Sequence, residues 1–411
     1  MLNALSGATM SYLSNVSDCD DTTVMMETFF LLDAERREGR IGVLLPTVNI
    51  KAAGTAMRFL TAYLSATPDG ATRTITGTER MCHRPIGVLV DALRSMGAQI
   101  EYAGNEGFPP LRITGQRLTG GEVTLPGDIS SQFVSALLMI APQLTEGLTL
   151  HLKGNIVSRP YINMTLAMMR EHGAKASWRG RQTIVVTPDH PYRPTPYQIE
   201  SDWSAASYWY EIALLQPRPQ SPIALNGLFS KSLQGDSDVA DMFKELALQT
   251  FHTSEAFQCK TTVLNRGRAK RHVEWDFTRT PDLAQTMVVA CAMKDISFVF
   301  SGLQSLRIKE TDRIAALQTE LRKLGVQVEV EGDSIMRWAG SKAQAPGDVP
   351  YLQPMAGTAI DTYEDHRMAM AFAPAAMVLG SIDINNPEVV SKSYPRYWDN
   401  LREAGFEFII E

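Results

Sequence analysis

Residues 306–313 (LRIKETDR) place three cations, Arg307, Lys309 and Arg313, among two acids, Glu310 and Asp312, directly ahead of an apolar helical pattern that opens at Ile314. A helix starting near Thr311 would set Lys309 just before its N-terminus and Arg313 in its first turn. Free backbone N–H groups and the helix dipole make such an end an anion site. Arg adds a bidentate fork and Lys a point charge, a pairing suited to phosphate and carboxylate. The same run also reads as an exposed face that neutralises itself.

Other segments carry comparable side chains. Gly54 and Thr55 precede Arg58. Ser130, Ser131 and Gln132 offer two hydroxyls and an amide. Asp365, His366 and Arg367 put a carboxylate, an imidazole and a guanidinium in one turn. Each has a plain reading. The serines serve as an N-cap, Asp282 after Pro281 serves as another, and His366 is a satisfied core histidine. Gly154 marks a turn, and the methionine-rich faces are core packing. No P-loop, dinucleotide fingerprint, zinc motif or nucleophile elbow is present.

These side chains stand at the starts of repeated elements. Five helices rich in Ala, Met and Leu are predicted over 53–64, 130–141, 204–215, 282–293 and 366–377, about 75 to 85 residues apart. Strands are expected after them at 72–77, 148–153, 223–226, 296–301 and 382–385. Amphipathic second helices follow at 87–97, 162–173, 314–325 and 397–405, ending at Gly as αL caps require. They lead into strands at 98–102, 174–178, 326–330 and 406–410. Another second helix is read at 238–248. In the 314–325 copy, Leu317, Leu321 and Leu324 share one face. The first helices read as buried and the second helices as half exposed. If symmetry holds, the first-helix N-termini meet around a multiply anionic ligand.

The start of the chain fits this period incompletely. Residues 20–32 read as a second helix, 8–13 as the strand before it, and 1–6 as the tail of a first helix. The repeat therefore predicts a shortened form of a larger fold.

At 411 residues two domains are expected, dividing near residue 199. A net charge of −6 and the lack of a basic stripe with interleaved aromatics argue against nucleic acid. Any anion site must then be a local concentration of cations. Cys19, Cys82, Cys259 and Cys291 have no metal spacing. The longest apolar run, 133–141, is too short for a membrane span. A reduced, cytoplasmic, monomeric protein is the expectation.

Taken in order, AGTAMR (53–58), RMCHRPIG (80–87), SSQF (130–133), SRPY (158–161), PDLAQT (281–286), LRIKETDR (306–313), DHRMAMAFAP (365–374) and KSYP (392–395) resemble the 5-enolpyruvylshikimate-3-phosphate synthase family. The resemblance implies an α/β fold of two domains, 1–199 and 200–411, each of three βαβαββ units with the first incomplete, and substrates bound between them. It implies a transferase of the shikimate pathway, in aromatic amino-acid biosynthesis, moving the enolpyruvyl group of phosphoenolpyruvate to the 5-hydroxyl of shikimate 3-phosphate through a tetrahedral adduct, with no metal or organic cofactor. Carried over by position, Gly54, Arg84, Gln132, Arg313, Arg367 and Lys392 bind phosphoenolpyruvate. Ser130, Ser131, Gln132, Ser158, Tyr161, Asp282, Ser305 and Lys309 bind shikimate 3-phosphate. Asp282 is the proton acceptor at the 5-hydroxyl, and Glu310 handles the proton at the methylene carbon.

Three departures qualify the resemblance. The family's opening strand and its Ser-Lys-Ser…Asn-Arg segment have no counterpart, which predicts that the chain as written turns over weakly or not at all. Lys51-Ala52 stands where the family has Gly-Asn, and Ser305 where it has Asn. Two rival readings are a UDP-N-acetylglucosamine enolpyruvyltransferase, for which Cys82 would be the reactive cysteine, and a non-catalytic ligand-binding derivative.

Overall fold

The computed structural model describes residues 1–8, 12–217, 221–255, 258–341, 352–354 and 357–409. The chain divides into two compact units, Met1–Ile199 and Glu200–Glu411.

In the first unit α1 (Leu2–Leu5), β1 (Leu13–Ser14) and α2 (Asp20–Glu38) precede two complete repeats. The first repeat is β2 (Thr47–Asn49), α3 (Gly54–Ser65), β3 (Thr72–Thr76), α4 (Glu79–Cys82), α5 (Gly87–Ser95), β4 (Gln99–Tyr102) and β5 (Leu111–Thr114). The second is β6 (Gly121–Pro126), α6 (Ser131–Ile140), β7 (Leu148–Lys153), α7 (Arg159–Glu171), β8 (Ala176–Arg179) and β9 (Thr183–Val186), and β10 (Tyr197–Gln198) closes the unit on β1. The sheets run β2-β3-β5-β4 and β6-β7-β9-β8. Within each, a parallel pair is joined through the buried helix and an antiparallel pair follows, because parallel strands need a crossover and antiparallel ones only a short link.

The second unit contains α8 (Trp203–Leu215), β11 (Ile223–Asn226), α9 (Val239–Glu245), β12 (Leu248–Glu255) and β13 (Gln258–Asn265). A full repeat follows as β14 (His272–Asp276), α10 (Ala284–Met293), β15 (Ser297–Ser301), α11 (Arg313–Lys323), β16 (Glu329–Glu331) and β17 (Ile335–Trp338). The chain then forms β18 (Ala359–Ile360), α12 (His366–Phe372), α13 (Ala376–Leu379), β19 (Asp383–Ile384) and α14 (Tyr397–Glu403). The sheets run β11-β13-β12, β14-β15-β17-β16 and β18-β19.

Helices α3, α6 and α10 are buried along nearly their whole length. Their polar side chains survive there by bonding back to the preceding turn, as Thr61 does to Met57 O at 2.7 Å and Ser65 to Thr61 O at 2.7 Å. The strands between them alternate, and Leu148, Leu150 and Leu152 face the core. Leu317, Leu321 and Leu324 do the same along one face of α11 and just beyond it.

Three expectations change. Helix α2 continues to Glu38, because Glu35 is buried and paired, and Gly39 in the left-handed region ends it. The strand expected over 8–13 lies partly outside the described residues, and β1 covers only Leu13–Ser14. Residues 406–409 form no strand. Phe408 instead packs edge-on against Trp398 and under the Arg402 guanidinium, so its side chain is held by α14.

Candidate active site

In the first unit the chemistry collects at the start of α3. Gly54 opens that helix, and the Arg84 and Arg58 guanidinium groups lie so close over it that a Cβ there would stand 2.7 Å from Arg84 Nη1 and 3.0 Å from Arg58 Nη1. Arg58 Nη1 donates to Gly54 O at 2.7 Å and to Gln132 Oε1 at 3.1 Å. Gln132 Nε2 donates to Thr55 Oγ1 at 3.0 Å, which binds α6 to α3. Ser130 caps α6 toward Gln132 N, with Ser131 as its first residue.

Ser158 precedes α7 with φ +52, a left-handed conformation, and Tyr161 lies in the first turn of α7. A relay from Ser135 to Thr165 to Tyr161 O, at 2.7 and 3.0 Å, packs α7 on α6. Lys51 is exposed with φ +51. Cys82 sits within 3.8 Å of Gly77 O.

The run 306–313 is not a solvated face. Residues 304–308 form a 3-10 turn, and Asp312 caps α11 by accepting the Ala315 N–H at 3.1 Å. Arg313 is only 1% exposed. Its guanidinium binds Asp365 (Nε–Oδ2 2.7 Å), Asp282 (Nη1–Oδ1 2.9 Å) and Glu310 (Nη2–Oε2 2.9 Å). Lys309 Nζ lies 3.4 Å from Asp282 Oδ1, and Arg367 Nη2 lies 3.2 Å from Asp282 Oδ2. Lys392 pairs with Glu310. Four cations thus surround three carboxylates and leave one positive charge. Ser305 is half-buried in the 3-10 turn and takes no part in these ion pairs.

Two plain readings fail. Asp282 makes no cap bond, because its oxygens face the cations of α11 and α12. His366 is buried, but its Nδ1 lacks a hydrogen-bond partner among the described residues, with Asp365 Oδ1 3.7 Å away. Desolvation foremost, with Lys392 adding, lowers the His366 pKa to about 3, so the ring is neutral.

Burial alone would raise the Asp282 carboxyl, but Arg367, Lys309 and Arg313 together hold it well below the usual range. Asp365 is likewise held low against its burial, chiefly by Arg313.

The helix ends are not bare. Asp21 Oδ1 accepts from Thr55 N at 3.0 Å and Ala56 N at 3.1 Å at the start of α3. Asp202 caps α8 and Asp365 caps α12. At these three helix ends the free backbone donors are already met by carboxylates. Tyr208, whose hydroxyl lies 3.5 Å from Arg367 Nη1, and Asp21 were not legible as neighbours of these groups. Tyr208 left a faint signal, a large phenol directly after the small residues Ser204, Ala205, Ala206 and Ser207. Among the described residues no three His, Cys, Asp or Glu side chains could hold a metal ion, and no helix is long and apolar enough to cross a membrane.

The fold is an enolpyruvyl-transferase architecture. An enolpyruvyl transferase from Streptomyces tendae shares it at a TM-score of 0.58 and 15% identity, covering 85% of this chain and 75% of that one. The EPSP synthase (3-phosphoshikimate 1-carboxyvinyltransferase) profile matches residues 1–401, and the chain belongs to that family. A 3-phosphoshikimate 1-carboxyvinyltransferase of Bacteroides fragilis is 54% identical over 394 residues, 96% of this chain and 89% of that protein. One of Photobacterium profundum is 39% identical over 352 residues, 85% of this chain and 77% of that protein. The solved EPSP synthase of Acinetobacter baumannii superposes with a TM-score of 0.69 at 25% identity, covering 87% of this chain and 79% of that one.

Proposed function

We propose that this chain transfers the enolpyruvyl group of phosphoenolpyruvate to the 5-hydroxyl of shikimate 3-phosphate and releases phosphate. The observation that carries the reading is the pairing of two carboxylates of different role, Asp282 and Glu310, on one buried guanidinium, Arg313.

In this reading Arg84, Gln132, Arg313, Arg367 and Lys392 hold phosphoenolpyruvate, with Gly54 permitting the approach of Arg84. Ser130, Ser131, Ser158, Tyr161, Ser305 and Lys309 hold shikimate 3-phosphate. Arriving phosphates and carboxylate draw Arg313, Arg367 and Lys309 away from Asp282. Its pKa then rises toward the value a base at the 5-hydroxyl needs. The hydroxyl oxygen bonds to C2 of phosphoenolpyruvate as its proton passes to Asp282, and Glu310, which takes up a proton from water once the substrates draw Arg313 and Lys392 from it, delivers that proton to the methylene C3. The adduct collapses when the C2–O bond to phosphate breaks, the departing phosphate takes the proton held by Asp282, and C3 returns its proton to Glu310.

The test is a single-turnover reaction with the protein in excess, read as phosphate release and product mass. Release requiring both substrates is expected. Release with a UDP-sugar acceptor instead, or failure to bind either substrate, would overturn the reading.

A further inference from the structure

We infer that the second unit carries a separate binding site for a small organic polyanion, in the cavity at the C-terminal end of α10. This cavity, open on one side, has a volume of about 620 Å³ and is lined by Arg268, Lys270, Arg271 and Lys294, with Asp295 as the one carboxylate among the described residues that line it. Its apolar surface comes from Ala247, Ala269 and Ala339, with Leu214, Leu246 and Ile296 buried beneath them. Asp282 precedes α10, whereas Lys294 follows it, so about 15 Å of helix separates the two. The cavity therefore does not belong to the ion-pair cluster described above.

The charges there are unbalanced. Asp295 is committed to Ser341, accepting from its N–H at 2.7 Å and its hydroxyl at 2.6 Å. Lys270 is paired with Glu245 at 3.2 Å. Arg268, Arg271 and Lys294 have no side-chain ion pair or hydrogen bond among the described residues. Lys294 is accounted for in part by the helix C-terminus it follows, where a cation is favoured. That argument does not reach Arg268 or Arg271, which lie on the loop between β13 and β14.

Arg268 and Arg271, which have no side-chain partner among the described residues, stand with Lys294 round one concavity and focus a positive potential, against a chain whose net charge is −6. Burial of part of the Lys294 side chain lowers its pKa, which agrees with a charge short of partners. The apolar wall and the volume exceed what inorganic phosphate fills. They suit a ligand with a flat or hydrocarbon body and at least two anionic groups.

Metal-free ATP, inorganic pyrophosphate and a short DNA duplex serve as calorimetric probes of the full chain. ATP is expected to bind more tightly than pyrophosphate, because only ATP has a body to lay on Ala247, Ala269 and Ala339. Replacing both Arg268 and Arg271 with Ser should weaken ATP at least about tenfold, since each lost charge-assisted contact is worth about a factor of ten. Lys294→Gln should weaken it further, and Arg367→Gln should leave it unchanged. Arg268, Arg271 and Lys294 are exposed, so unaltered melting of the cavity variants shows that the fold is kept. ATP binding lost in Arg367→Gln but kept in the cavity variants would overturn the proposal. So would pyrophosphate binding as tightly as ATP, duplex binding more tightly than ATP, or no ATP binding.

Discussion

Arg313 and Asp365 face each other with both side chains sealed from water, joined by Nε–Oδ2 at 2.7 Å and Nη2–Oδ1 at 3.3 Å. The two lie 52 positions apart in sequence, and the pair fixes the start of α11 against the start of α12. Asp365 also caps α12 through the Arg367 N–H at 2.9 Å. One carboxylate thus orients two of the cations assigned to phosphoenolpyruvate.

Asp365→Asn should keep the cap, because Asn caps as well as Asp. It should destabilise the fold by about 3–5 kcal/mol, since Arg313 is left buried without its main counter-charge. Urea unfolding should show a lower midpoint with an unchanged slope. Melting equal to the parent would show that Arg313 finds another buried acid.

Asp282→Asn separates binding from chemistry. Asp282 competes with incoming anions for Arg313, Arg367 and Lys309. Neutralising it should strengthen phosphoenolpyruvate binding about tenfold while slowing transfer about 10²–10⁴-fold, the range of general-base loss. Titration calorimetry beside single-turnover phosphate release reads both, and weaker phosphoenolpyruvate binding would contradict the competition.

In the first unit Arg73 is buried between Glu35 of α2 and Asp69, at 2.7 and 2.8 Å. Glu35 also accepts the Leu45 N–H at 2.8 Å. Burial alone would raise the Glu35 carboxyl, but Arg73 and the backbone donors lower it. Arg73→Met should cost about 3–5 kcal/mol by stranding Glu35, and adding Glu35→Gln should recover part of that loss. Double-mutant unfolding tests this, and purely additive losses would rule out the coupling.

Glu211 is fully buried in α8, and neither carboxyl oxygen has a hydrogen-bond partner among the described residues. Desolvation raises its pKa well above the ordinary value. The folded state then holds a proton that the unfolded state releases above about pH 4.5. Stability therefore falls as pH rises from there toward the folded pKa, by up to about 1.4 kcal/mol per pH unit. Glu211→Gln should remove this slope, and Glu211→Leu should also gain about 1–3 kcal/mol by deleting unpartnered oxygens. Melting curves across pH decide it, and parallel slopes for parent and Glu211→Gln would refute it.

What the sequence made legible was local. Runs of Ala, Met and Leu opening at 53, 130, 204 and 366 specify buried helices because no face of them could meet water. Leu148, Leu150 and Leu152 specify a strand by alternation. Pairings between distant positions were not legible. Nothing local tells Gln132 to reach Thr55, 77 positions away, or Asp21 to fill the start of α3. The run 306–313 could not be told from a solvated face because its neutralising partners, Asp282 and Asp365, are remote. Asp282 looked like a cap because Pro281 precedes it, and only the fold turns its oxygens toward Arg313.

Gly54 provides the sharpest test of the first unit. It has ordinary helical backbone, so Ala is tolerated there without strain and adds helix propensity. Its cost is steric and falls on side chains alone, since a Cβ would stand 2.7 Å from Arg84 Nη1 and 3.0 Å from Arg58 Nη1. Both are ends of flexible arms and can retreat. Gly54→Ala should therefore leave melting unchanged and leave shikimate 3-phosphate affinity within about twofold. It should weaken phosphoenolpyruvate about tenfold by moving Arg84 off a bidentate geometry. Calorimetric titration of each substrate separates the two effects. Equal weakening of both would mean that the displaced group is Arg58 and, through it, Gln132, which is assigned to both ligands.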